Sequence, residues 1–298
     1  MSFARRLSRV IAELPGSDVA LAKALAIDRR RIHNLRHFRE NATISMGELD
    51  RLDAHLVGRN GIVGAISMHH SLFATLARCR DIRFLLGTRL HRGIGSVSVF
   101  DLEAALGVQE KVTQARLAAQ LPLHAFHTST AAAGSPRSVP PAQPQNRFSA
   151  LLSLGSPRSN PFAEAMLAPV TGEGTRSPIW LGFPDVTEGK YGLVRRCEGP
   201  HRSIGVDRRV FKGDAKRSHG LVVAYRCAKG VLRICCLGTN GQATLACVQV
   251  LPQATLDVAD NGERALLMVV EANSDGPDGA GAVVSRNIVL ERFLPMKV

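Results

Sequence analysis

Near-continuous apolar runs in the second half of the chain constrain its fold more than any other feature. Residues 148–155 read FSALLSLG and residues 231–238 read VLRICCLG. A strand that is apolar on both faces must be covered on both faces, which is typical of central strands in an α/β sheet. In the second run Cys235 and Cys236 are adjacent, so a strand would point their side chains to opposite faces. The runs therefore predict a sheet with a core on each side.

Helix candidates follow both runs. Residues 162–170 and 239–251 have helical character, and Pro161 suits the first turn of the earlier helix. Further strand candidates occur between residues 176 and 227 and near the C-terminus, and they indicate a mixed sheet. Their sequences are PIWLGF, GLVVAYRC, RALLMVVEA and NIVLERFL. We therefore expect an α/β, Rossmann-like domain with a mixed sheet at residues 147–298.

Composition divides the rest of this multidomain chain into three segments. Residues 1–58 are expected to form an all-α domain. Residues 59–122 combine helix and strand signals, with Ser98 as the expected N-cap of one helix. They are expected to be an α/β connecting segment, whose packing on the C-terminal domain is left open. Residues 123–146 include the run HTSTAAAGSPRSVPPAQPQN, whose Ala, Ser, Pro and Gln cannot bury a core. That segment is predicted to be a flexible linker.

Charge and cysteine usage narrow the functional classes. Lys and Arg number 38 against 25 Asp and Glu, and this gives a formal net charge of +13. Such a balance favours a polyanion as partner, nucleic acid before membrane. The six cysteines include no CxxC pair, so a disulfide framework or zinc site is not expected. No apolar segment of about 20 residues and no secretory signal is apparent, so we expect no membrane association and a cytoplasmic location.

A helix pair is predicted where the stretch LAKALAIDRRRIHNL, residues 21–35, breaks its helical spacing. Two helices joined by a tight turn need small residues at their crossing and an aliphatic residue on the second helix. Ala22, Ala26 and Ile32 meet those needs. Ile32 and Leu35 are the expected inward positions of the second helix, and Asp28 is its expected N-cap. A third helix candidate, ISMGELDRLDAHL, follows at residues 44–56, with Ser45 as its N-cap and Leu49, Leu52 and Leu56 facing the core.

The spacing Ala22–Ala26–Ile32 resembles that of helix-turn-helix DNA-binding domains in the Cro/C1-repressor (XRE-like) superfamily, over residues 3–57. That family usually has glycine where this chain has Ala26. The resemblance implies that the second helix enters the major groove, where Arg can bind guanine and Asn can bind adenine. The DNA-binding residues it implies are Arg29, Arg30, Arg31, His33, Asn34, Arg36, His37 and Arg39.

The two apolar runs each end in a glycine-containing turn before a helix. In open α/β sheets ligands bind at the carboxyl ends of strands, where helix N-termini attract anions. The two turns could therefore line one crevice, although glycine after a strand can also serve only as a tight turn. Neither turn matches GxGxxG or a P-loop. The candidate ligand-binding residues are Gly155, Ser156, Arg158, Asn160, Gly238, Thr239, Asn240, Gly241 and Thr244.

Together these features predict a sequence-specific transcriptional regulator. Its helix-turn-helix domain would bind double-stranded DNA as a homodimer, and its C-terminal domain would sense a small anionic or nucleotide effector or hold the dimer. The alternative is a nucleotide- or NAD-acting enzyme whose helical domain is a targeting or partner-binding module. No HExxH or GxSxG motif occurs, so we assign no catalytic or metal-binding residue, and the identity of any cofactor is left open.

Overall fold

The computed structural model describes most of the chain. The described residues are 7, 10–12, 14–37, 45–55, 72–91, 94–132, 149–171, 177–186, 193–197, 199–227, 231–254, 264–276 and 282–296. Their helices are α1 Asp18–Leu25, α2 Arg29–Arg36, α3 Met46–His55, α4 Leu72–Arg78, α5 Val99–Ala118, α6 Pro161–Thr171 and α7 Gly241–Val250. Their strands are β1 Asp81–His91, β2 Ile94–Val97, β3 Phe126–Ala132, β4 Ser149–Leu154, β5 Ile179–Phe183, β6 Val194–Arg196, β7 Ser203–Val206, β8 Arg209–Lys212, β9 Arg217–Arg226, β10 Leu232–Gly238, β11 Arg264–Ser274 and β12 Val283–Pro295.

Helices α1, α2 and α3 share a core with the helical residues Leu7, Val10 and Ile11. The inward positions predicted on α2, Ile32 and Leu35, are both buried there. Leu52 of α3 is fully buried in the same core. The side chains of Leu49 and Leu56, which were expected to face this core, lie outside the described part of the chain.

The main sheet has, among the described residues, eight strands in the order β12-β11-β9-β10-β4-β1-β2, with β3 also paired to β1. Strands β10, β4, β1 and β3 run parallel to their neighbours in that group. Strands β9, β11, β12 and β2 pair antiparallel. The sheet is therefore mixed, as the sequence predicts.

Both faces of this sheet are covered. One core lies between the sheet and helices α4, α5 and α7, and it includes Cys236. The other lies against α6 and strands β5 and β7, and it includes Cys235. Every residue of β4 is buried, which explains why its sequence is apolar without alternation. The prediction that the two adjacent cysteines face opposite sides is confirmed.

The predicted linker is wrong for Phe126–Ala132, which form β3. This strand pairs in parallel with β1 from Ile82 opposite Phe126 to Thr88 opposite Ala132. The side chains of residues 126–131 are half-buried or exposed, so the strand is held mainly by backbone pairing with β1, a contact that composition does not reveal. Residues 133–146 of that segment lie outside the described residues. Because β1 lies between β3 and β4, residues from 59–122 and from 147–298 share one sheet.

The sequence predicts that the strands between residues 176 and 227 contribute to one mixed sheet. Among the described strands of this region, only β9 joins the main sheet. Strands β5 to β8 form a separate sheet in the order β6-β5-β7-β8. Trp180 lies opposite Gly205 across β5 and β7, and a Cβ on Gly205 would fall 1.9 Å from the indole. Only glycine leaves room for that ring. The mixed character of the main sheet comes from β9, β11 and β12, which contain three of the predicted strand sequences, and from β2.

A buried arginine joins α4, α5 and the chain leading into β3. Arg116 is 0% exposed, and its Nε and Nη2 donate to the carbonyls of Ala77 at 3.1 Å and Cys79 at 2.6 Å. Its Nη1 donates to the carbonyl of His124 at 3.1 Å. The guanidinium also lies 5.2 Å from the centre of the Phe126 ring. These contacts fix the second half of the β1–α5–β3 unit. Among the described helices, none is long and apolar enough to cross a membrane.

Candidate nucleic-acid interface and ligand crevice

The turn between α1 and α2 is left-handed at Ala26, with φ 49° and ψ 43°. The amide of Ile27 donates to the carbonyl of Ala22 at 3.1 Å, which closes the end of α1. Glycine adopts this backbone conformation freely, whereas a residue with a Cβ loses about 1 kcal/mol there. The turn therefore explains why a glycine is the more favourable residue at this position.

The N-terminus of α2 is capped as predicted. Oδ1 of Asp28 accepts hydrogen bonds from the amides of Arg30 at 2.8 Å and Arg31 at 3.3 Å. The carboxylate also places negative charge at the positive end of the helix dipole. The side chains of Arg29 and Arg30 are exposed in the same turn and oppose that dipole.

Arg36, predicted to contact DNA, forms hydrogen bonds within the helical part of the chain. Its Nη1 donates to Oδ1 of Asp18 at 2.7 Å, and its Nη2 donates to the carbonyls of Leu14 at 2.6 Å and Gly16 at 3.0 Å. Its Nε donates to the carbonyl of Ile11 at 3.2 Å. These bonds direct the guanidinium toward the start of α1 and away from the outer face of α2.

His33 shares the same carboxylate. Its Nδ1 lies 2.9 Å from Oδ2 of Asp18, and its ring centre lies 4.5 Å from that of His37. Hydrogen bonds from His33 and from Arg36 hold the pKa of Asp18 below its usual value. Asp18 is therefore ionised, and its contacts with His33 and Arg36 hold α2 in position.

Arg31 links α2 to α3. Its guanidinium lies 2.9 Å from Oε2 of Glu48, which forms a capping box with Ser45 at the start of α3. The predicted N-cap Ser45 is confirmed. Burial raises the pKa of Glu48, but hydrogen bonds from Ser45 and the charges of Arg31 and Arg51 outweigh this and leave the pKa below its usual value.

The predicted DNA-binding residues thus divide into two groups. Arg29, Arg30 and His37 are exposed and Asn34 is half-buried on the outer side of α2. Arg31, His33 and Arg36 contact acidic groups of the neighbouring helices. Arg39 lies outside the described residues.

A cavity of about 350 Å³, here called the crevice, opens where β4 and β10 end. The structure brings both glycine turns to this cavity, together with the first turn of α5 and residues near β5 and β7. Its predicted lining residues are Ser156, Arg158, Thr239, Asn240, Gly241 and Thr244, and the additional ones are Ser98, Val99, Phe100, Asp101, Ser159, Phe183 and Arg202. Ser98 holds the predicted N-cap position of α5, although its hydroxyl makes no capping bond.

The glycines in these turns make room for α5. Gly155 has φ +107°, and a Cβ there would lie 2.5 Å from Oδ2 of Asp101. A Cβ on Gly241 would lie 2.3 Å from the Phe100 ring. The sequence pattern at Ser98–Asp101 indicates a helix start, but nothing in it shows that this turn packs against both glycines.

Asn160, predicted to bind ligand, is buried and faces away from the crevice. Its Nδ2 donates to the carbonyls of Leu85 at 2.9 Å and Leu154 at 2.8 Å, and its Oδ1 accepts from the amide of Phe162 at 3.1 Å. It therefore joins β1, β4 and the start of α6. Gly238 has a similar internal role, since a Cβ there would lie 2.2 Å from the carbonyl oxygen of Asn240.

Comparisons with protein-family models, with curated proteins and with solved structures give no match. Within the described part of the chain, no group of three or more His, Cys, Asp or Glu side chains could hold a metal ion. The chemistry open to the crevice follows from the groups that line it.

Two arginines stand at the crevice. Arg158 pairs with Asp185, with Nη1 2.9 Å from Oδ1 and 2.8 Å from Oδ2. The hydrogen bond from Arg158 lowers the pKa of Asp185. Arg202, which the sequence analysis missed, donates to the carbonyl of Thr239 at 2.8 Å and lies 6.0 Å from the centre of the Phe183 ring. Because Arg202 is far in sequence from both turns, the sequence alone does not indicate that it lies at the crevice.

A second cavity of about 270 Å³, here called the basic cleft, adjoins the crevice. Arg202, Thr239 and Asn240 line both cavities. The basic cleft adds Lys216 and Arg217. Arg217 pairs with Asp214 at 3.1 Å, and hydrogen bonds from the backbone of Lys216 and Arg217 lower the pKa of Asp214.

Proposed function

We propose that the protein is a sequence-specific DNA-binding transcriptional regulator. Helices α1 and α2 serve as its helix-turn-helix, and the Rossmann-like α/β part senses a small anionic or nucleotide effector or holds a homodimer. The observation that supports this most is the left-handed turn at Ala26 followed by a capped helix whose first turn exposes Arg29 and Arg30.

The charge arrangement of α2 suits a polyanion. Exposed arginines near a helix N-terminus oppose the helix dipole, so they weaken the helix when no anion is nearby. A DNA phosphate or a guanine edge would remove that conflict, and a net charge of +13 adds long-range attraction. The cost of placing two arginines there is therefore offset in a DNA complex.

The contacts around α2 hold this proposed recognition helix in a fixed position. Asp18 holds α2 against α1 through Arg36, and Glu48 holds it against α3 through Arg31. We assign base contacts to Arg29, Arg30 and Asn34, and phosphate contact to His37. Arg31 and Arg36 position the helix and contribute charge.

A homodimer would double this small contact surface. One helix-turn-helix usually reads only half a site, and two-fold related recognition helices reach successive major grooves about 34 Å apart. The α/β part is large enough to supply such an interface, and effector binding there would change the separation of the two recognition helices.

In vitro selection from random duplex DNA tests this function, followed by fluorescence anisotropy on the selected site at several salt concentrations. We expect specific binding that weakens steeply with salt, and a loss of about 1–3 kcal/mol of discrimination in Arg30→Ala and Asn34→Ala. Arg208→Ala removes an equal charge from an exposed turn in the α/β part and serves as the matched control. Absence of any preference over random DNA would overturn the proposal.

A second function, an enzyme acting on a nucleotide or NAD-like substrate, draws support from the crevice. Asp101 is 4% exposed and lines a cavity of a size suited to a small molecule. In that case the helical part would target the enzyme or bind a partner. Turnover of a nucleotide that Asp101→Asn abolishes, without selective DNA binding, would favour this function.

A further inference from the structure

The Arg158–Asp185 ion pair lies at the boundary between the crevice and the basic cleft. Arg158 lines the crevice, whereas its partner Asp185 lines the basic cleft. Arg202 lines both cavities. Two guanidinium groups therefore stand where the cavities meet.

Three other residues that line the crevice carry oxygen atoms and no positive charge. Asp101, Ser159 and Thr244 are 4%, 7% and 1% exposed, so this part of the lining is polar and almost closed to solvent. Carboxyl oxygens accept hydrogen bonds. The hydroxyls of Ser159 and Thr244 donate to the carbonyls of Ser156 and Asn240, each at 3.3 Å, which leaves their oxygens as acceptors. Ligand hydroxyl groups, which can donate, suit such a lining of acceptors, whereas an ionised phosphate offers it no donor.

The boundary, by contrast, suits a phosphate. The side chains of Arg158 and Asp185 are 43% and 58% exposed, and an ion pair at such a site contributes little. A phosphate can accept two parallel hydrogen bonds from a guanidinium, so it can replace Asp185 as the partner of Arg158. Arg202 is already held near this point by its bond to Thr239.

We propose that the crevice binds a phosphorylated sugar, carried by a nucleotide or free, with its phosphate on Arg158 and Arg202 and its hydroxyl groups toward Asp101. The inference deepens the sensor half of the proposed function and depends on it. A cavity of about 350 Å³ falls within the usual range for small-ligand sites. Binding releases Asp185 from Arg158 and so alters the contact between the loops that follow β4 and β5.

Isothermal titration calorimetry on the full chain without DNA tests the ligand class. The probes are adenosine 5′-monophosphate, ribose 5-phosphate, adenosine and inorganic phosphate. We expect at least one phosphorylated sugar to bind with a Kd below about 1 mM, and adenosine and inorganic phosphate to bind about tenfold more weakly or not at all. Tighter binding of the nucleotide than of ribose 5-phosphate identifies a nucleotide as the source, and equal binding identifies the sugar phosphate alone.

Substitutions test the placement. Arg158→Ala and Arg202→Ala should each weaken binding about tenfold, and Arg208→Ala, outside both cavities, should change it less than about twofold. Thermal unfolding checks that each variant is folded, and Arg202→Lys replaces Arg202→Ala if the latter is not. Failure of every phosphorylated probe to bind, equal binding of adenosine, or unchanged affinity in both folded arginine variants would overturn the inference.

The same titrations separate this inference from DNA binding. Arg30→Ala protein should bind the phosphorylated sugar as the unaltered chain does, because Arg30 lies on α2. If the chain selects DNA but binds no probe, only the ligand assignment is overturned. If it binds a probe and shows no DNA preference, only the DNA-binding role is overturned.

Discussion

The carboxylate of Asp18 accepts a 2.7 Å hydrogen bond from Nη1 of Arg36, which joins the first residue of α1 to the last residue of α2. The remaining guanidinium nitrogens of Arg36 donate to backbone carbonyls in the segment before α1. The side chain is only 15% exposed. One arginine therefore closes the helix pair from the side opposite the left-handed turn.

Arg36→Ala should destabilise the helical part by about 2–3 kcal/mol, because it removes the charged donor of Asp18, which then keeps only His33, and the hydrogen bonds to three backbone carbonyls. Urea unfolding followed by far-ultraviolet circular dichroism measures the change. Arg29→Ala, which truncates an exposed arginine of the same helix, should stay within about 0.5 kcal/mol. Equal stability of the two variants would contradict the structural role of Arg36.

Ala26→Gly should stabilise the helical part by about 0.5–1 kcal/mol, because it removes the cost of a Cβ at φ 49°. Ala22→Gly is the matched control, since Ala22 lies within α1 and glycine there costs about 1 kcal/mol. Chemical unfolding midpoints should move in opposite directions. A loss of stability in both variants would show that backbone entropy outweighs the strain at Ala26.

Gly155→Ala should cost about 2 kcal/mol or more, because the new Cβ meets both a positive φ of +107° and the Asp101 carboxylate at 2.5 Å. Two other glycines separate these causes. Gly199 has φ +87° with open space around it, so Gly199→Ala should cost only about 1 kcal/mol. Gly107 lies in the middle of α5 with open space, so Gly107→Ala should stabilise by about 0.5–1 kcal/mol. In thermal unfolding, Gly155→Ala should have the lowest melting temperature, Gly199→Ala the next and Gly107→Ala the highest.

Stability should fall as the pH drops below about 6.5, with His219 as one source. Burial holds the pKa of His219 below its ordinary value of 6.5, although Glu271 partly opposes this. The unfolded chain therefore takes up a proton at a higher pH than the folded chain, and this favours unfolding between the two pKa values. Above 6.5 both states are neutral at this residue and the contribution is constant.

His219→Gln removes that titration. The slope of unfolding free energy against pH should be shallower in this variant between pH 6.5 and the lowered pKa of His219 than in the unaltered chain. Urea titrations at a series of pH values measure it. Parallel slopes in the two proteins would contradict the assignment to His219.

Features set by neighbouring residues could be predicted from the sequence. Asp28 and Ser45 cap the helices that follow them because capping involves residues within one turn. The apolar run at β4 reports burial on both faces, which any central strand requires.

Features set by distant contacts could not be predicted. Strand β3 exists because β1 offers it a backbone edge, and its own composition resembles a linker. The crevice needs Asp101 and Arg202 beside the glycine turns, and long-range packing alone brings them there. Asn160 looks like a ligand-binding side chain in sequence, yet the fold uses all its polar atoms internally.

The adjacent cysteines of β10 can report the order in which the two sides of the main sheet open. Cys235 and Cys236 are covered by different layers, and burial raises the pKa of Cys235 to about 12 and that of Cys236 well above its usual value. A thiol reagent attacks the thiolate, so each cysteine reacts only after its own layer has separated from the sheet. The ratio of the two alkylation rates would therefore give the order in which the two sides of the sheet are uncovered, without any engineered label.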